Sequence, residues 1–180
     1  MTSEEQRRRH QLLLALHEAF VAGDFDTLGE LLARPRWVDE SLPDDFGDGH
    51  ALVYAIYWSP LPLIARMIEA GANVNFVADD GFPALQAALT RQRPAKGEVL
   101  ALLLARGADP DMRGINDWTP LHHAVSLRDA EAIGQLLAAR ADPSQRTRID
   151  SYSTPLEDAV AQGFAEGAAL LSPVAEGDDK

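Results

Sequence analysis

The sequence contains no cysteine, which excludes a disulfide scaffold, a thiolate zinc site, an iron–sulfur cluster and a cysteine nucleophile together. Lysine is almost as scarce, occurring only as Lys96 and Lys180. Sixteen basic residues face twenty-eight acidic ones, for a net charge of −12. A surface of that sign repels phosphate backbones and anionic lipid, so neither nucleic acid nor a membrane is the expected partner. No apolar run approaches the roughly 20 residues of a membrane helix. Arg7-Arg8-Arg9 ahead of Leu12–Leu16 has the outline of a signal peptide, but His17 and Glu18 interrupt the apolar stretch, so cytoplasmic residence is expected. What the chain does have is 46% hydrophobic residues in 180, enough for a continuous core.

Those apolar residues recur with a period. Gly71-Ala72-Asn73, Gly107-Ala108-Asp109 and Arg140-Ala141-Asp142 each follow a leucine-rich segment, at steps of 36 and 33 residues. Thr119-Pro120-Leu121-His122 and Thr154-Pro155-Leu156-Glu157 match closely, while Phe82-Pro83-Ala84-Leu85-Gln86 and His50-Ala51-Leu52-Val53 match loosely. Thr119 is placed to cap a helix with its hydroxyl, and Pro120 to occupy the first helical position, where its missing N–H costs nothing. Leu121, Ala124 and Val125 then share one face, Leu136 and Leu137 line the next helix, and small Ala55, Ala88, Ala124 and Ala159 allow close helix approach.

Two helices, an extended turn, a period near 33 and the string TPLH resemble the ankyrin-repeat family. The resemblance covers about Leu12 to Leu171. It implies an all-α fold, an ankyrin-repeat α-solenoid of about five helix-turn-helix units with extended turns between them and degenerate terminal repeats. Residues 9–173 are expected to form one domain, with tails at 1–8 and 174–180. Departures stand out at Arg140, which replaces a terminal glycine, at Pro35, which cannot take a left-handed conformation, at the Ser59-Pro60-Leu61-Pro62 turn, and at Gln92–Gly97, which carries three extra residues.

Catalytic and metal motifs do not assemble. His17-Glu18 begins a zincin pattern, but Val21 stands where the second histidine is needed. Asp44, Asp48 and Gly49 lack a calcium loop's twelfth-position glutamate, and Gly47 and Gly49 lack both the third glycine and the preceding strand of a dinucleotide motif. Adjacent His122 and His123 point about 100° apart on a helix and grip one ion poorly. In the TPLH position, the resemblance implies for His122 a buried ring bonded to turn groups, and His123 is expected to be exposed. No cofactor is expected.

The function implied is that of a non-catalytic protein–protein interaction module. By resemblance, a partner protein meets the turn tips and the exposed positions of the first helices. The residues expected to bind are Tyr57, Trp58, Asp79, Asp80, Phe82, Arg91, Ile115, Asn116, Trp118 and Leu127. Tyr57, Trp58, Phe82 and Trp118 are expected to line one groove, inside an acidic rim of Asp48, Asp79, Asp80, Asp111, Asp117 and Asp150 that favours a partner with a basic surface. Equally open is that Trp118 packs on its neighbouring turn and Trp58 on the Pro60 and Pro62 loop, covering the core between helices. The module is expected to be a monomer, acting as an adaptor or as an inhibitor of one cognate protein. Two rivals are a small-molecule or metal-binding enzyme using His122, His123, Asp117 and Asp129, and a structural spacer in a larger assembly.

Overall fold

The computed structural model describes residues 2–34, 36–39, 41–42, 50–76, 82–149 and 152–172, without the side chains of Ser3 and Ile115. Its helices are α1 (Ser3–Ala22), α2 (Phe25–Leu32), α3 (Ala51–Trp58), α4 (Leu61–Glu69), α5 (Ala84–Thr90), α6 (Lys96–Ala105), α7 (Pro120–Ser126), α8 (Ala130–Ala138), α9 (Pro155–Ala161) and α10 (Ala165–Leu171). They fall into two compact units, Met1–Asp109 with three helix pairs and Pro110–Lys180 with two.

In the first unit α1 packs on α3 and α3 on α5, while α2 packs on α4 and α4 on α6. The second unit repeats this with α7 on α9 and α8 on α10. Ala55, Ala88, Ala124 and Ala159 are all fully buried, each where a first helix meets its neighbours at close range. The second helices of the inner pairs contribute Leu63, Ile64 and Met67, Val99, Leu100 and Leu103, and Ile133 and Leu136. Burying each such side chain is worth about 1.5–3 kcal/mol, which is what holds these short helices together.

Helix starts follow the capping chemistry of the sequence. Thr119 accepts from the His122 N–H and Thr154 from the Glu157 N–H, each followed by proline at the first helical position. The same device sits at the chain's beginning, where Thr2 and Glu5 form a capping box, so α1 is helical from Ser3 through residues expected in a tail. Second helices close in left-handed backbone at Gly71 (φ 101°) and Gly107 (φ 86°), and Arg140 occupies the same conformation at φ 67°. Near Pro35, Ala33 takes that role at φ 49°.

Between pairs, a side chain in one turn accepts the backbone N–H of a later turn. Asp39 Oδ1 accepts from Asn73 N (2.9 Å) and Asn75 Oδ1 from Asp109 N (2.7 Å) in the first unit. Asp111 Oδ1 accepts from Asp142 N (2.9 Å) in the second. Asn75 Nδ2 also donates to Gly107 O (2.8 Å).

Candidate functional site

In the first unit, Tyr57 and Trp58 are the last residues of α3 and look to different neighbours. The Tyr57 hydroxyl lies 3.2 Å from Thr90 Oγ1 on α5. Trp58 turns to α1, with its ring edge-on to His17 at 5.5 Å and 6.4 Å from Tyr54. It leans on this pair, in which His17 Nδ1 is 2.7 Å from the Tyr54 hydroxyl, and remains 45% exposed. Burial raises the Tyr54 pKa above that of a free phenol. Phe82 is half-buried at the entrance to α5. Asp79 and Asp80 lie outside the described residues.

Arg91 does not belong to this surface. It is 4% exposed, and its guanidinium donates to Ile56 O, to Ser59 O (2.9 Å) and to Pro94 O (3.1 Å). α3 ends in an extended Ser59 followed by Pro60, which has no N–H, so its last carbonyls need an outside donor. Arg91 supplies it. Burial, with Arg93 nearby, lowers its pKa.

In the second unit the turn tip over Gly114–Trp118 is set by two consecutive left-handed residues, Asn116 (φ 58°) and Asp117 (φ 60°). Asn116 is exposed and Trp118 half-buried, its ring edge-on to His123 at 6.0 Å. His123, expected to be exposed, is buried under that indole. Leu127, at the end of α7, is exposed. Ile115 belongs to this tip by its backbone.

Asp117 was expected on an acidic rim, but it is buried and matched by two arginines. Arg113 Nη1 donates to its Oδ2 at 2.8 Å, and Arg148 reaches Oδ1 at 2.5 Å and 3.0 Å, while the Arg148 N–H donates to Oδ2. Hydrogen bonds from Arg148 bring its pKa down to about 2. Arg113 also binds Gln145 Oε1 and Arg146 O, each at 2.9 Å, so the two turn tips of this unit are one bonded structure. The second tip exposes Ile149 and Tyr152, which sequence reasoning missed because no local pattern marks them. Asp111 belongs to the turn-to-turn bonding, and Asp48 and Asp150 lie outside the described residues.

The residues of the enzyme reading are engaged in structure. His122 Nε2 donates to Ser153 O at 3.0 Å, which fixes the tautomer and leaves Nδ1 to accept at Thr119, 2.8 Å from its hydroxyl. Burial lowers its pKa. Asp129 caps α8 by accepting from Ala132 N at 2.9 Å. Among the described residues no group of three or more histidines and carboxylates is placed to hold a metal ion, and no helix is long and apolar enough to cross a membrane.

A family model described as ankyrin repeats (many copies) matches residues 96–133. Over those residues the chain matches the ankyrin-repeat family. It is similar to the ankyrin repeat protein nuc-2 of Neurospora crassa, 28% identical over 91% of this chain and 15% of that protein. It is 36% identical to the human 2-5A-dependent ribonuclease over 41% of the chain and 10% of the ribonuclease. With the glycerophosphocholine phosphodiesterase gde1 of Schizosaccharomyces pombe it shares 34% identity over 57% of the chain and 9% of the enzyme. These matches span about 9–15% of each relative's length.

Proposed function

We propose that this ankyrin-repeat chain is a non-catalytic binding module in the cytoplasm that recognises a partner protein, as an adaptor or as an inhibitor of one cognate protein. The observation that carries the reading is a division of labour. The polar groups that resemble chemistry, His122, Asp117 and Asp129, are committed to caps and turns. Aromatic and aliphatic side chains are left at the surface, with Trp58, Leu127, Ile149 and Tyr152 exposed and Tyr57, Phe82 and Trp118 partly so. Aromatic residues supply large contact area at low entropic cost and dominate binding hot spots.

In this reading Tyr57, Trp58 and Phe82, with Asp79 and Asp80, form the contact surface of the first unit. Asn116, Trp118, Leu127, Ile149 and Tyr152, with Ile115, form that of the second. The net charge of −12 favours a partner with a basic surface and speeds its approach. The test is capture of a partner from native extract, followed by affinities for Trp58→Ala, Tyr152→Ala and Trp118→Ala. A loss of at least fivefold, about 1 kcal/mol, for one or more of them supports the surface. Full affinity in all three overturns it, as does affinity that does not fall when salt is raised for the electrostatic part.

A further inference from the structure

Tyr54 and Trp58 stand one turn apart on α3, and His17 meets them from α1. The three ring centroids form a triangle with sides of 5.5, 6.2 and 6.4 Å. Tyr54 and Trp58 tilt 42° to each other, while His17 stands at 85° and 73° to them, so the rings make a corner and not a stack. The contact between His17 Nδ1 and the Tyr54 hydroxyl, 2.7 Å, ties two of its walls together. These two are half-buried and the third, Trp58, is 45% exposed, so solvent reaches the corner chiefly across the indole.

Three features bear on what fits it. First, an aromatic face attracts a cation within about 6 Å of its centroid, tryptophan most strongly, and a group about 4 Å above this triangle lies within that reach of all three rings. Second, the chain covers other rings with its own cations. The Arg66 guanidinium lies 4.2 Å from the centre of Phe25 and that of Arg128 5.0 Å from the centre of Phe164, whereas among the described residues no cation lies over Trp58. Third, the surroundings favour positive charge. α3 and α5 contain no charged residue, exposed Glu18 follows His17 on α1, and the chain carries a net −12. Arg7, Arg8 and Arg9 stand eight or more residues before His17, about 12 Å or more along the helix, and Arg91 is engaged by the carbonyls that end α3. An open corner grips one side of a ligand, so the rest of the contact has to come from a larger molecule that carries the cation.

We propose that the corner of His17, Tyr54 and Trp58 seats a cationic side chain of the partner, arginine or lysine, an inference that rests on the reading of Trp58 as part of a protein-binding surface. Selection of random displayed peptides on the full chain at low salt, followed by affinities of the recovered sequences, tests it. They should carry a basic residue whose neutral counterpart of similar shape, citrulline for arginine or norleucine for lysine, binds about fivefold more weakly. In Trp58→Leu, which keeps an apolar side chain without a ring, the same exchange should cost less than about twofold, and Trp58→Phe should retain part of the difference. The Trp58 indole N–H resonance of the unmodified chain should shift with the basic peptide and not with its neutral twin, a readout that survives if a variant fails to fold. An exchange that costs as much in Trp58→Leu as in the wild type overturns the proposal, and if such peptides depend on Trp118 or Tyr152 the binding-module reading still stands. Peptides that need Trp58 yet contain no basic residue overturn it too, leaving an apolar contact. Recovery of no binding peptide at all counts against both.

Discussion

Arg91→Ala probes the structure most directly, because one guanidinium stands in for a helix cap. The substitution leaves Ile56 O and Ser59 O, two carbonyls at the end of α3, buried without their donor. Each unsatisfied buried acceptor costs about 1–3 kcal/mol, while the chain recovers part of the desolvation energy of the guanidinium. The net loss should be about 2–4 kcal/mol, a fall of about 5–15 °C in the unfolding midpoint for a chain of this size. Trp37 and Trp58 both belong to the first unit, so urea titration followed by tryptophan fluorescence in a Trp118→Phe background reads that unit alone. Arg91→Lys should recover only part of the loss, since one ammonium cannot span the fork of carbonyls. A cost below about 0.5 kcal/mol, the scale of an ordinary surface change, would refute the capping role. A stable variant that instead binds its partner less well would return Arg91 to the contact surface.

Asp117 is an acid whose folded pKa, about 2, lies below its ordinary 3.8. Its stabilisation is complete above about pH 4 and disappears as pH falls through about 2, and Asp117→Asn should remove this acid step from the Trp118 fluorescence titration. His122 is a base whose pKa burial lowers from 6.5, so below that pH the unfolded chain binds more protons and the second unit loses stability as pH falls. His122→Gln, which copies Gln86 at the matching position of the third pair, should flatten that part of the midpoint-against-pH curve; a slope equal to wild type would refute the assignment. Arg140→Gly should relieve left-handed strain of about 1 kcal/mol and raise the thermal midpoint of the chain by roughly 2–4 °C.

The repeat was legible because its rules are local. Thr119 and Pro120 announce a helix start, Ala55, Ala88, Ala124 and Ala159 a close contact, Gly71 and Gly107 a stop, and all do so in the structure. The capping box Thr2-Ser3-Glu4-Glu5 was equally local, yet its position at the start of the chain invited a reading as tail. What escaped is what depends on residues a period away. Arg91 looks like a surface cation by helical position, and the longer Gln92–Gly97 segment that follows it accompanies a side chain turned back to α3. Asp117 looks like part of an acidic rim until Arg148, 31 residues on, closes over it. His123 looks exposed as the neighbour of His122, and is covered by Trp118. The exposed Ile149 and Tyr152 carry no marker in the sequence.

The carboxylate and amide links from Asp39 to Asn73, Asn75 to Asp109 and Asp111 to Asp142 each reach 31 to 34 residues along the chain. Since each needs only its adjacent partner, the scheme is indifferent to how many links precede or follow it. A genetic duplication or loss of one whole period would preserve donor and acceptor alike, whereas an insertion of half that length would pair nothing. Such an architecture can be lengthened or shortened by copying, and the unit of inheritance coincides with the unit of cohesion.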